Sequence, residues 1–316
     1  MRLPHRPAGR AYGRLCGGAR LAAARHGLRG RRGSREAGLE TQVSVSALFV
    51  YPVKSARGIA RSRVRVGASG LEWDRQWMLI DARGTFLSQR THPQLARIVP
   101  EISAEALVLH APDVPALRVR LDTVGEPVPV QVWKDACIGV DQGEAAQEWA
   151  SRVIGQGVRL VRVAPDMARA ANVKFAGTTP APLGFADGYP LLVCNRASLE
   201  DLNRRLPRPV PIERFRPNIV LRGLPAWAED RIDTLLMGEV TLRLVKPCTR
   251  CSIPSRDPCT GEPATDPLPA LRKFRFDREL LGVTFGENAV IARGTGCEIE
   301  RGAHCRVTFD TLPPRA

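Results

Sequence analysis

The chain has 316 residues, 44% of them hydrophobic and 25% charged, with eight Cys and a net charge of +15. That length suffices for two cores or one large one, and no apolar run approaches the roughly 20 residues of a membrane-spanning helix, so a soluble globular protein without a membrane span is expected. The Cys are too sparse for a disulfide framework and no secretory signal opens the chain, which points to reduced thiols in a cytoplasmic setting.

The charge is uneven. Residues 1–42 hold ten Arg, no Lys and only two acids, Glu36 and Glu40, which leaves +7 for the other 274 residues. An Arg-rich, Gly/Ala-rich stretch without hydrophobic periodicity cannot build a core, so 1–42 reads as a disordered leader or an upstream extension of the true start. Its composition also fits a mitochondrial presequence, which makes the mitochondrion the alternative location. Aromatic residues amount to 5% and no basic stripe interleaves with them, so no nucleic-acid partner is expected.

From Val43 the pattern becomes period-two alternation, with Val43, Val45, Ala47, Phe49 and Tyr51 on one face and Ser44 and Ser46 on the other. Short strands are predicted at 63–67, 77–80 (returning through 85–87), 106–109, 117–121, 128–133 and 137–140. Asp141 and Glu144 have capping-box spacing, and Ala145, Ala146, Trp149, Ala150 and Val153 then repeat at helical spacing up to Gly155. A strand follows at 158–163. The Pro- and Gly-containing stretch 164–188 reads as a long joining loop. Beyond it come a strand at 190–194, a helix starting at Ser198, strands at 218–221, 240–245 and 289–292, and a last strand near 305–309. Many short strands with a few helices indicate a mostly β (α+β) fold of barrel or sandwich type.

The segment Lys246-Pro247-Cys248-Thr249-Arg250-Cys251-Ser252-Ile253-Pro254 carries the sharpest chemistry. Neighbouring cations favour the thiolate, the form of Cys that is nucleophilic and binds soft metals. Half of a zinc site, a redox dithiol, a single thiolate ligand for a soft transition metal and a buried structural pair all remain open here. Cys297, His304 and Cys305 could complete a zinc site only in non-standard spacing. Elsewhere Lys54 and Ser55 end the first strand, Arg75 lies between Asp74 and two Trp, and Arg214-Phe215-Arg216-Pro217-Asn218 leads into a strand. Arg offers a rigid fork of donors for phosphate, and Asn offers both a donor and an acceptor for a heterocycle edge. Together they suit a phosphate-bearing cofactor with a soft metal.

In their order and spacing, YPVKS, DRQW, VWKDACIGVDQGEAAQEWAS, ASLEDLNRRL, FRPNIVL and KPCTRCSIPSRDPCTG resemble the MOSC superfamily of molybdenum-cofactor proteins, particularly the amidoxime-reducing components and their bacterial relatives, over nearly all of 43–311. The resemblance implies a MOSC N-terminal β-barrel domain at 43–164, a linker at 165–188 and a MOSC β-barrel at 189–311, with a molybdenum–molybdopterin cofactor in the cleft between them. It carries the pterin and phosphate contacts onto Lys54, Ser55, Arg75, Arg216, Asn218, Thr249 and Arg250. It makes Cys251 the molybdenum ligand and catalytic centre, and Cys248 supporting or structural. Where the family has small hydroxyl residues this chain has Gly188 and Tyr189, which would take over that contact through backbone or phenol. Pro254-Ser255-Arg256-Asp257 likewise replaces a family loop sequence. The implied activity is reduction of small N-hydroxylated substrates such as amidoximes, hydroxylamines and N-hydroxylated bases. A C-terminal iron–sulfur domain is not expected, so electrons would come from a separate flavin, haem or iron–sulfur protein. The resemblance also brings a family-level association with pyridoxal phosphate. The rival expectation is a non-redox carrier of persulfide sulfur or of the molybdenum cofactor.

Overall fold

The first strand forms over Ser44–Val50, but strict alternation does not survive along it. Its pairing with Ile219–Arg222 slips between Val45 and Ala47, a bulge that inserts one residue. Val45, Leu48 and Val50 therefore enter one core, while Phe49 and Tyr51 enter another. The expected single apolar face is corrected to two buried faces.

The computed structural model describes residues 42–310; residues 1–41, which hold nearly all of the Arg-rich leader, lie outside them. The large sheet runs, in order, through Arg306–Phe309, Ile232–Met237, Val240–Thr249, Gly282–Arg293, Leu191–Asn195, Ile219–Arg222, Ser44–Val50 and Ile59–Arg61. One neighbouring pair is parallel, Leu191–Asn195 with Ile219–Arg222, and the helix Arg196–Asn203 lies in the connection between them. A second sheet holds Trp77–Ile80, Arg159–Val163, Asp135–Asp141 and Pro127–Val132, and a third holds Val99–Ile102, Ala106–Ala111 and Val114–Arg120. The mostly β expectation holds. Early and late segments share sheets, since Arg63–Gly67 also pairs with Glu298–Glu300, and the described residues 42–310 fall within one compact unit.

The main core lies between the large sheet and the strands at 63–71, around Val66, Leu71, Leu221, Leu235 and Leu242. A second core gathers Trp77, Leu79, Leu95 and Leu107 under the helix Glu144–Ile154, which contributes Ala146, Trp149, Ala150 and Ile154. The capping box there is corrected. Asp141 still belongs to a strand, its carboxylate accepts from the Gly143 N–H at 2.8 Å, and Gly143 itself is the N-cap. The helix expected from Ser198 starts at Arg196, because Asn195 caps it by accepting from the Ala197 N–H at 3.2 Å. Ser198 instead donates to buried Glu229 at 2.7 Å, and burial pushes that carboxyl up to about 7.

The Cys-rich motif begins inside a strand. Val240–Thr249 runs on past the expected end, with pairing shifts at 244/246 and 247/249 that accommodate Pro247. The following loop folds over the first half of the chain. Asp257 accepts from the N–H groups of Cys259 and Thr260, Arg57 donates to the Cys259 carbonyl at 2.8 Å, and Gly261 lies against Pro93. Gly261 has φ +78°, and a Cβ there would lie 2.0 Å from the Pro93 carbonyl oxygen. Gly261→Ala is therefore expected to cost about 1–3 kcal/mol from backbone strain and displacement, read as a lower chemical-denaturation midpoint.

Candidate functional site

Five cationic side chains, Lys54, Arg75, Arg90, Arg216 and Arg250, line one cleft together with a single acid, Asp187. Cys248 and Cys251 lie in its wall, and its empty space is about 800 Å³ with the open mouth included. The motifs reach it from distant parts of the chain.

Lys54 follows the first strand and is buried. Its ammonium donates to the Phe185 carbonyl at 2.9 Å and pairs closely with Asp187. Burial pushes its pKa below the ordinary range, and Asp187 opposes that shift. Ser55 beside it has φ 67°, and the Gln89 amide donates to its carbonyl at 2.6 Å.

Arg75 and Arg216 also sit in the left-handed region, at φ 49° and 55°. Such backbone costs on the order of 1–3 kcal/mol per residue and persists where surrounding contacts hold it. Here the contacts are visible. Arg75 pairs with buried Asp74 and donates to the Asn218 side-chain oxygen at 3.2 Å; Arg216 donates to the Ala56 carbonyl at 2.7 Å. Both guanidiniums lie over the Tyr51 ring, with centroid distances of 4.4 and 4.2 Å. Gly58 makes room for that ring, since a Cβ there would fall 2.4 Å from it.

Tyr51 thus offers its π system to two like charges. Its buried hydroxyl has no hydrogen-bond partner. Tyr51→Leu is expected to lose about 2 kcal/mol of stability and some affinity for anions, whereas Tyr51→Phe should match or exceed the parent in denaturation midpoint.

Asn218 is buried and already satisfied. Its oxygen accepts from the Leu192 N–H at 3.1 Å and from Arg75, while its amide donates to the Phe49 carbonyl at 3.3 Å and to Asp74 at 3.0 Å. It lines the cleft as a bracket for Arg75, with both donors and both lone pairs engaged.

Arg250 organises the thiol end. It donates to Cys248 Sγ at 3.0 Å and to the Phe215 carbonyl at 2.8 Å. Burial opposes its charge, but Cys248, Cys194 and Cys251 around it more than offset that and hold its pKa up. Cys251 is exposed and unpaired in the cleft wall. Thr249, expected at the cofactor, is exposed and absent from the cleft lining, with its methyl toward Gly282. Alternation along the strand explains this, because Cys248 and Arg250 share the face opposite Thr249.

Gly188 and Tyr189 both line the cleft; Tyr189 is half-buried, and burial pushes its phenol up to about 12. Their loop is fixed by Arg169, a residue the motifs did not single out. Buried Arg169 donates to the carbonyls of Gly184 (2.5 Å), Ala186 (2.9 Å) and Asp187 (3.3 Å), and it pairs with Asp135 at 3.0 Å. A lone Arg in a Pro/Gly-rich loop was the available signal. Among the described residues no three His, Cys, Asp or Glu are placed to hold a metal, and Cys297 and Cys305 pack against the main core while Cys248 packs against another. The zinc completion considered above is not assembled.

The residues fit an anionic cofactor. Arg216 Nη2 and Arg250 Nε are buried donors without a protein partner, and cations outnumber the single acid in the cleft. Comparison with known proteins gives the same direction. The MOSC N-terminal beta barrel domain matches residues 42–157, and the MOSC domain matches residues 180–306. The chain is 33% identical over 255 residues to mitochondrial amidoxime-reducing component 1 of Mus musculus, covering 78% of this chain and 75% of that protein. It is 32% identical over 255 residues to mitochondrial amidoxime reducing component 2 of Bos taurus, covering 78% and 76%. It is 28% identical over 260 residues to molybdenum cofactor sulfurase of Bos taurus, covering 76% of this chain and 30% of that protein. The chain therefore belongs to the MOSC family, with a MOSC N-terminal β-barrel domain followed by a MOSC domain.

Proposed function

We propose that this protein binds the molybdenum cofactor in the cationic cleft and reduces small N-hydroxylated compounds with electrons from a separate redox protein. The observation that carries the reading is a single exposed thiol, Cys251, at the end of a cleft lined by Arg75, Arg216, Arg250 and Lys54. Relatives named for amidoxime reduction support the substrate class. When bound, the cofactor supplies the two-electron centre that takes the oxygen from the N–O bond. In the balanced reaction an amidoxime, two electrons and two protons give an amidine and water.

The chain's own residues hold and orient. Cys251 would supply the thiolate that holds the metal. Arg216 and Arg250, each with a buried donor that has no partner among the described residues, would hold the anionic part of the cofactor, and Arg75, fixed by Asp74, Asn218 and Tyr51, would add charge without having to reorganise. Lys54 contributes less field, because Asp187 neutralises it at close range. Gly188 and Tyr189 are set by the Arg169-braced loop. Relatives named as mitochondrial components are compatible with a mitochondrial location, and no helix among the described residues is long and apolar enough to cross a membrane.

Metal and pterin analysis of the purified protein, with benzamidoxime reduction assayed under a supplied electron donor, tests the reading. Molybdenum near one per chain with turnover supports it; protein lacking molybdenum and pterin, and inert after reconstitution, would refute it. The exposure of Cys251 and the sulfurase relative favour one second reading, a sulfur carrier. Mass spectrometry showing a persulfide on Cys251 in metal-free protein would select it.

A further inference from the structure

Four of the five cations in the cleft are tied to the protein. Lys54 holds Asp187 and the Phe185 carbonyl, Arg75 holds Asp74, Arg216 the Ala56 carbonyl, and Arg250 Cys248 and the Phe215 carbonyl. Arg90 alone makes no hydrogen bond or ion pair among the described residues; its guanidinium lies over Trp133, with its carbon 4.3 Å from the ring centroid.

The surface under Arg90 is built. Trp133 is a bulky residue at φ 58°, in the turn between the strands Pro127–Val132 and Asp135–Asp141, and 44% of its surface is exposed. A large side chain held in that region marks a conformation imposed by its surroundings. Its indole N–H donates to Asp187 at 2.9 Å, and Phe86 meets the ring edge-on at 5.1 Å. Lys54 lies over Phe86 at 4.8 Å, so the wall joins the rim to the cofactor-facing cations. The side-chain amide of the neighbouring Gln89 donates to the Ser55 carbonyl at 2.6 Å. The indole holds the guanidinium by a cation–π contact, and its N–H groups have no partner among the described residues, which leaves the fork available to a bidentate oxyanion. Asp187, the one acid in the lining, accepts from Lys54 and Trp133 through one carboxylate oxygen and makes no ion pair with Arg90.

We propose that Arg90, held over Trp133 with Phe86 beside it, is a substrate subsite for an anionic oxygen group carried by an aryl or heteroaryl N-hydroxylated compound. This rests on the reductase reading of the cleft and adds to it a charge preference. A planar ring lies along the Phe86–Trp133 wall, its carboxylate or phosphonate meets Arg90, and its N–O group points inward toward Cys251. Cationic analogues are disfavoured by the same residue.

The test uses the full cofactor-loaded chain and four probes: benzamidoxime, its 4-carboxy and 4-phosphono derivatives, and its 4-aminomethyl derivative. The kcat/KM for the better anionic probe should exceed that for benzamidoxime about ten-fold or more, as expected for a charge-assisted pair. The larger of the two anionic preferences identifies the group. Arg90→Gln should bring the ratio close to one, and Arg90→Glu should turn it in favour of the aminomethyl compound. A merely structural role would lower all four values together and leave the ratios unchanged. Calorimetric titration without electron donor reads the same preference as affinity, apart from turnover. If no probe is reduced but the calorimetric preference is present and falls in Arg90→Gln, the reductase reading fails and the subsite stands. Ratios that ignore charge, or that survive Arg90→Gln, overturn the subsite. Loss of bound molybdenum in Arg90→Gln would assign Arg90 to the cofactor and overturn it equally.

Discussion

Asp74→Ala is expected to be among the most damaging single changes outside the thiol motif, costing about 3–5 kcal/mol and lowering cofactor retention with it. The carboxylate side chain is 1% exposed and serves three partners: the Tyr51 N–H at 2.8 Å, the Asn218 amide at 3.0 Å and the Arg75 guanidinium. Removing it leaves a buried amide and a mostly buried guanidinium uncompensated, and it releases the Arg75 backbone from a conformation that is costly on its own. Asp74→Asn keeps one acceptor for the Tyr51 N–H and should lose less stability, yet it still frees Arg75 from its counter-charge. Urea denaturation should rank the parent above Asp74→Asn and Asp74→Ala lowest. Equal midpoints for all three would show that Asp74 does not hold this bracket.

The sequence motifs located the segments of the site better than the roles within them. Lys54, Ser55, Arg75, Arg216, Arg250 and Cys251 all reach one cleft, and their spacing within each motif was the legible signal. Thr249 is the motif residue that does not line the cleft. Once the strand is seen to extend through the motif, Thr249 must face away from Cys248 and Arg250. Other features depend on contacts that no local pattern encodes. Lys54 meets a carbonyl 131 residues later, and Arg75 meets an Asn 143 residues later. Arg169 braces the loop that carries Asp187, Gly188 and Tyr189, so a stretch that reads as a plain linker becomes one wall of the site. The bulge at Ser46 divides the first strand between two cores, which a period-two reading cannot express. Asn195 rather than Ser198 caps its helix because Ser198 is engaged with Glu229 and the Trp227 N–H.

The second large effect concerns the two thiols. Cys248 Sγ is held by Arg250 at 3.0 Å and packs with the Phe215–Phe285 cluster, whereas Cys251 lies exposed in the cleft wall with the same guanidinium nearby. Both line the cleft, but the second is the more exposed and has no side-chain partner among the described residues, while the first accepts from Arg250 and keeps that group in place. Cys251→Ala should therefore abolish both metal retention and turnover. Cys248→Ala should retain molybdenum and lose activity only partly, through a less restrained Arg250.

The most direct measurement is the molybdenum-to-protein ratio of the parent, Cys248→Ala and Cys251→Ala proteins, each verified as folded by circular dichroism. The account expects near-stoichiometric metal in the parent, most of it kept in Cys248→Ala and essentially none in Cys251→Ala. Metal retained by Cys251→Ala, or lost only in Cys248→Ala, would contradict the assignment of Cys251 as the working thiolate.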